Sequence, residues 1–260
     1  MPAIVVLVKH VPDTWSTRTL EADFTLDREG VDEVIDEVNE FGVEQALRIK
    51  EAHPEYRVVA LTAGGAAADE ALRKALAMGA DQAVHLNDPA LAGSDVLGTA
   101  WALVHAINTI EDVQLIISGV ASSDGSMGAL PGIISEYRQQ PALTSLKSVA
   151  VNGTTITGVR ETAAGDYELS ATLPAIVSIT DKADKPRFAN FKGIMAAKKA
   201  EVTQLTLADI GVDPAHVGLA HAATAVVAAT KRPARVAGEV VRADAATAAK
   251  KIAEYLSELG

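Results

Sequence analysis

Apolar residues along the chain fall into short unbroken runs separated by amphipathic stretches. "IVVLVKHV" (4–11), "RVVALTA" (57–63) and "LIISGV" (115–120) are dense in β-branched side chains, the pattern of strands covered on both faces in a parallel sheet; "QAVHL" (82–86) is a weaker example. Between them, "NEFGVEQALRIKEA" sets Phe41, Gln45 and Ile49 on one helical stripe near Leu47. "DEALRKALAMGAD" repeats Leu72, Ala75 and Leu76 before Gly79, a helix stop. "SDVLGTAWALVHAINTI" opens on a capping residue and spaces Leu97, Trp101, Val104 and Ile107 helically. This alternation predicts an α/β fold with a doubly wound, mostly parallel sheet.

The pattern changes after about residue 142. "LKSVAVNGTTITGVRETAAGDYELSATLPAIVSIT" places Asn152-Gly153 between apolar alternations, a hairpin signal, and "AAGD" supplies a second turn. Antiparallel strands are expected to extend the same sheet. From 182 the chain is Lys-rich; from 201 it becomes a tail of extended apolar pieces without sheet periodicity, closed by an amphipathic helix. The expected division is an α/β core over 1–181, which the loops described below make a nucleotide-binding one, a loop and helix over 182–200, and a C-terminal arm over 201–260 that packs on a partner subunit.

Composition narrows the chemistry. With 48% apolar and 22% charged residues the chain is an ordinary globular sequence, and 4% aromatics mean a core of Ala, Val, Leu and Ile. The absence of Cys removes disulfides, thiolate nucleophiles and Cys-ligated metal centres. A formal charge of -11 argues against general nucleic-acid binding. No basic region precedes the first apolar run and no segment approaches a membrane span, so a cytoplasmic, non-embedded protein is expected.

"SGVASSDGSMGALPG" is the candidate site. Gly119, Gly125 and Gly128 permit close backbone approach, Ser122, Ser123 and Ser126 offer hydroxyls, and Pro131 suits the first turn of a following helix whose free N–H groups attract phosphate. A capped turn without a ligand fits the spacing equally, since neither GxGxxG nor GxxxxGK[ST] is matched. Ala63, Gly64 and Gly65 form a second loop of this kind, and Asn39 and Phe41 a third, where a helix cap and a core aromatic are the simpler reading. His10, His53, His85, His105, His216 and His221 are scattered without metal-ligand spacing, and no catalytic triad or carboxylate pair stands out. The loops point to a nucleotide-sized ligand, not to catalysis.

"VLVKHVPD", "VNEFGVEQALRIKE", "ALAMGAD", the Gly119–Gly128 loop, "LPAIVSI" and "KPRFANFKGIMAAKK", in this order and spacing, resemble the β subunit of electron-transfer flavoprotein over nearly the whole chain. The resemblance implies a non-catalytic electron carrier: a heterodimer with an α subunit that holds most of one FAD, and an AMP buried in β as a structural ligand. Electrons would come from flavoprotein dehydrogenases such as the acyl-CoA dehydrogenases of fatty acid oxidation and leave to a membrane quinone oxidoreductase. Family AMP contacts fall on Leu7, on Asn39, Glu40, Phe41 and Gly42, on Ala63, and on Gly119, Val120, Ala121, Ser122, Ser123, Asp124, Gly125, Ser126 and Met127. Trp15, one position past the family's usual aromatic at Thr14, would face the flavin together with Phe41.

Where many family members carry Lys-Gln and later Thr-Gly-Gln, this chain has Val120-Ala121 and Met127-Gly128-Ala129. Phosphate binding would therefore depend on Ser122, Ser123, Ser126 and backbone N–H groups. Asp124 could receive sugar hydroxyls or tie down the loop, but it is not a phosphate ligand, because a carboxylate repels one. The segment 182–200 matches the family's recognition loop, with Phe191 as apolar anchor beside Lys192, Ile194 and Met195, and with Lys182, Lys185, Arg187, Lys198 and Lys199 as a charged surround. Two alternatives stay open: a bifurcating-type subunit with a second FAD in place of AMP, and a stand-alone adenine-nucleotide sensor.

Overall fold

The computed structural model describes residues 1–235 and 237–258. In chain order the elements are β1 (Ala3–Leu7), β2 (His10–Pro12), β3 (Glu33–Ile35), α1 (Glu37–Ala52), β4 (Arg57–Ala63), α2 (Asp69–Met78), β5 (Gln82–Leu86), α3 (Val96–Asn108), β6 (Val113–Gly119) and α4 (Leu130–Arg138). There follow β7 (Ala142–Asn152), β8 (Thr155–Thr162), β9 (Gly165–Thr172), β10 (Ala175–Ile179), α5 (Phe191–Lys199), β11 (Val202–Leu205) and α6 (Ala245–Glu258).

Among the described residues, nine strands form one sheet in the order β11-β5-β4-β1-β6-β10-β7-β8-β9. The pairings are parallel from β11 to β7 and antiparallel across β7-β8-β9. The unbroken apolar runs are the doubly covered central strands. In β6, Leu115 and Ile117 pack on the face carrying α1 and α2, while Ile116 packs on the face carrying α3 and α4. The doubly wound sheet with its antiparallel extension is thus observed as expected, and Gly153, at φ 60°, makes the turn at Asn152-Gly153.

Four features differ from the expectation. The run 4–11 is broken: β1 ends at Leu7, and β2 turns aside to pair with β3 in a separate ribbon. The Lys9 N–H goes to Asn39 Oδ1 at 2.8 Å instead of to a ladder partner. β10 is not part of the antiparallel extension but lies parallel between β6 and β7. Residues 202–205, expected in the arm, form the sheet edge against β5, and Leu207, Ile210, Val212 and Val217 are buried in the α3-side core. The compact unit therefore runs through 225, and a second unit spans 226–260. Within that second unit α6 presents Ile252, Tyr255 and Leu256, all exposed, at one-turn spacing.

α5 is mounted tightly on α2. Arg73 of α2 donates to the carbonyls of Ala197 and Ala200 at 2.7 and 2.6 Å, satisfying the end of α5. A methyl group at Gly193 would collide with the carbonyl oxygen of Ala77, so glycine sets how closely the helices approach. Gly193→Ala is expected to cost about 1–3 kcal/mol through forced displacement of α5, read as a lower urea midpoint with faster proteolysis within 182–200. An unchanged midpoint would contradict this close approach.

Candidate functional site

β4 and β5 lie to one side of β1, and β6 and β10 to the other. β1/β6 is therefore the point where the strand order reverses, and the loops leaving these two strands diverge at its carboxyl end, where open α/β sheets bind ligands. Gly119 closes β6 beneath the first turn of α1: a Cβ there would lie 2.6 Å from Val38 Cγ1 and 2.8 Å from Asn39 Nδ2. Only glycine lets that turn rest on the strand end.

A charge cluster bridges the switch point. Asp124, its side chain only 2% exposed, accepts from Lys9 Nζ at 2.7 Å and from Arg28 Nη2 at 2.7 Å. Arg28 also reaches Glu33 Oε1 at 2.8 Å, and Glu33 Oε2 lies 3.1 Å from His10 Nδ1. Arg18 donates to the Ser123 carbonyl at 2.6 Å, and the Ser123 N–H donates to Asp36 Oδ2 at 2.7 Å. Burial pushes the Asp124 carboxyl up, but the Lys9 charge and the hydrogen bonds from Lys9 and Arg28 outweigh it and hold the group at about 2. Asp36 goes the other way: burial raises it, against the hydrogen bond from Ser123.

The loop after β6 is folded by a turn from Ser122 to Ser126, closed by Ser126 N–H to the Ser122 carbonyl at 2.8 Å and Gly125 N–H to Ser122 Oγ at 3.2 Å. Beyond the turn, the N–H groups of Met127, Gly128, Ala129 and Leu130 meet no acceptor among the described residues, and α4 begins at Leu130 after Ala129, which offers no side-chain cap, with Pro131 in its first turn. Among the described residues, the buried side-chain oxygens lacking a partner are Thr62 Oγ1, Ser118 Oγ and Ser123 Oγ. Thr62 and Ser118 are the penultimate residues of β4 and β6, and Ser123 lies in the loop after β6. An unmatched buried hydroxyl costs about 1–3 kcal/mol, so their concentration at one edge fits a polar ligand there. Uncapped N–H groups at a helix start suit an anionic group.

The residues expected at the site divide into groups. Leu7, Asn39, Gly42 and Gly119 are buried at the carboxyl edge, Ala63 and Val120 to Asp124 are half-buried, and Gly125, Ser126 and Met127 are exposed. Asn39 does not cap a helix: α1 starts earlier, after Asp36, and Asn39 latches the exit of β1. Glu40 faces Lys74 at 3.6 Å, and Phe41 packs partly against the core. Trp15 is 94% exposed on a turn held by Asp13. Phe191 begins α5 and is 79% exposed, with Lys192, Ile194 and Met195 exposed beside it.

Lys9, Arg28, Thr62 and Ser118 carry no local motif that marks them in the sequence, and Phe188 is 96% exposed. The "RFANF" spacing placed two aromatics in one basic segment, the signal that was there to be read. That segment is pinned by Arg187, whose guanidinium bonds both oxygens of the buried Glu44 at 2.8 and 3.0 Å.

The family model described as "Electron transfer flavoprotein domain" matches residues 23–210. The electron transfer flavoprotein subunit beta of Mycobacterium tuberculosis is 54% identical over 261 residues, covering 98% of each chain. That of Megasphaera elsdenii is 31% identical, covering 93% of this chain and 92% of its own. Subunit CarD of the caffeyl-CoA reductase-Etf complex of Acetobacterium woodii is 30% identical over 92% of this chain and 91% of its own.

The depressed Asp124 value gives a signed pH dependence. Its folded value, about 2, lies below the ordinary 3.8, so folding favours the ionised form. The stabilisation is present above about pH 4 and is lost as pH falls through about 2. Asp124→Asn is expected to lower the urea midpoint at pH 7 and to flatten the acid limb in that window. An acid limb parallel to that of the parent protein would exclude Asp124 as its source.

Proposed function

The chain belongs to the electron transfer flavoprotein family as a β subunit, and we propose that it is the β half of a cytoplasmic heterodimer with an electron transfer flavoprotein α subunit. The pair shares one FAD, held mostly by α, and carries electrons from flavoprotein dehydrogenases, including those of fatty acid oxidation, to a membrane quinone oxidoreductase. The chain acts as a carrier, without catalytic residues of its own. Bound flavin supplies the redox chemistry, and the protein supplies position and environment.

An AMP at the β1/β6 switch point is the reading that best accounts for the site. The observation that carries it is the set of unmatched polar groups there: the hydroxyls of Thr62, Ser118 and Ser123 and the free N–H groups from Met127 to Leu130. A phosphate received by these N–H groups approaches a loop whose one carboxylate is already neutralised by Lys9 and Arg28, so Asp124 does not oppose it. Leu7 and Ala63 offer apolar surface and backbone to the base. Trp15 and Phe41 are the residues of this chain turned toward the flavin of the assembled pair, and the segment 226–260, with the apolar side of α6, is the arm that packs on α.

The loop 182–200 is the docking surface for dehydrogenases. Phe191 and Phe188 project from a segment fixed by Arg187 and by the α2–α5 contact. Lys185, Lys192, Lys198 and Lys199 make no ion pair among the described residues, leaving a positive rim on an otherwise acidic chain. A small apolar anchor within a charged rim favours rapid, short-lived association.

Nucleotide extraction and the visible spectrum of the chain purified with its native partner test the cofactor reading. One FAD and one AMP per heterodimer are expected; two FAD would instead assign the β site to a second flavin, and a colourless chain without an α partner would leave a nucleotide sensor. Phe191→Ala is expected to slow reduction by the dehydrogenase about 10- to 30-fold, with FAD content unchanged and a smaller loss for Phe188→Ala. Unaltered transfer kinetics in both variants would remove the docking assignment.

A further inference from the structure

The excursion from Asp13 to Asp32 has no core of its own. Every residue in it is exposed or half-buried. Its internal ties are polar or local: Asp13 N–H to the Asp32 carbonyl at 2.8 Å, Thr19 Oγ1 to Asp27 at 2.8 Å, and the Leu20–Leu26 bridge. Apolar burial therefore does not decide where this excursion, and Trp15 on it, stands. Arg18 bonds the Ser123 carbonyl and Arg28 bonds Asp124, tying the excursion to the loop after β6. Lys9, at the root of the excursion, completes the clasp on the same carboxylate.

Asp124 lies inside the Ser122–Ser126 turn. The turn that aims its carboxylate at Lys9 and Arg28 also presents the free N–H groups that follow it. The loop beyond the turn adopts the left-handed region at Ser126 (φ 50°) and Gly128 (φ 67°), a conformation that its own hydrogen bonds hold at few points. A ligand that selects this loop shape opposes any motion that swings Asp124 away, so ligand binding and closure of the clasp stabilise each other by the same factor.

We propose that Asp124 couples the nucleotide loop to the 13–32 excursion: an adenine nucleotide bound at the loop fixes the excursion, and Trp15 with it, through the Lys9–Asp124–Arg28 clasp. The inference rests on the nucleotide reading above. Asp124 and Arg28 act here as positioning residues, setting where Trp15 stands relative to whatever the partner subunit brings against it. The ligand touches neither Arg28 nor Trp15; the loop transmits its effect.

The test is amide hydrogen exchange, resolved by peptide, on the heterodimer purified with its native partner and stripped of nucleotide, with and without added AMP. In the parent protein AMP is expected to slow exchange at 120–130 and, by about fivefold or more, across 13–32. In Arg28→Gln, whose altered side chain is partly exposed, AMP should still slow exchange at 120–130 but slow 13–32 by less than half as much as in the parent, the Arg18 bond to the Ser123 carbonyl remaining. Asp124→Asn should behave likewise, with Asp124→Glu restoring part of the coupling. Slowing at 120–130 without slowing at 13–32 in the parent protein would overturn the coupling alone. Slowing at 13–32 by more than half the parent's in Arg28→Gln and Asp124→Asn would overturn the role of the clasp. No effect of AMP at 120–130 would overturn the nucleotide reading and the inference together.

Discussion

The reversal of strand order at β1 governs the carboxyl edge of this sheet. β4 and β5 occupy one side of β1, so the next parallel strand, β6, must join the other side and send its helix to the opposite face. The loops leaving β1 and β6 consequently part, and backbone and hydroxyl groups at their roots have no strand or helix beside them to satisfy. The chain meets part of this demand itself. Asn39 takes the Lys9 N–H, Asp36 takes the Ser123 N–H, and Lys9 crosses the gap to Asp124. What it leaves unmet defines the site more sharply than any motif does.

The legible parts of the sequence were those with a local cause. β4 and the Asn152-Gly153 turn were readable because β-branched runs and turn residues act over a few positions. The break in the first strand was not, because an apolar run records burial and not pairing: Val8 and Val11 are buried although β1 has ended. β11, reading "VTQL", is a short edge strand whose central residues are exposed, so little in its composition marks it as sheet. Leu207, Ile210, Val212 and Val217 are core residues on irregular backbone, where no period announces them.

The same distinction applies within the site. The stretch from Gly119 to Gly128 was legible as a strand-to-helix turn because Gly-rich turns of this kind have a local signature. Asp124 is legible in sequence as a group unsuited to a phosphate that could receive sugar hydroxyls or tie down the loop, but not as the partner of particular cations. Its actual role depends on Lys9 and Arg28, which lie 115 and 96 positions away in sequence. Thr62 and Ser118 are unremarkable in sequence and informative only once burial shows that nothing pairs with them.

α1 connects the two surfaces to which the proposed function is assigned. At its start, Asp36 and Asn39 hold the loop after β6 and the exit of β1; further along, Glu44 and Glu51 hold Arg187 and with it the segment bearing Phe188 and Phe191. Glu44 is only 5% exposed, and its bidentate pair with Arg187 fixes direction as well as distance, which a single exposed ion pair would not. A carrier that meets its donors briefly gains little from tight binding and much from arriving with its parts already placed, because ordering a loop at each encounter subtracts from the association free energy. Mounting Phe188, Phe191 and the loop after β6 on one helix makes the span between them a property of the fold rather than of the encounter.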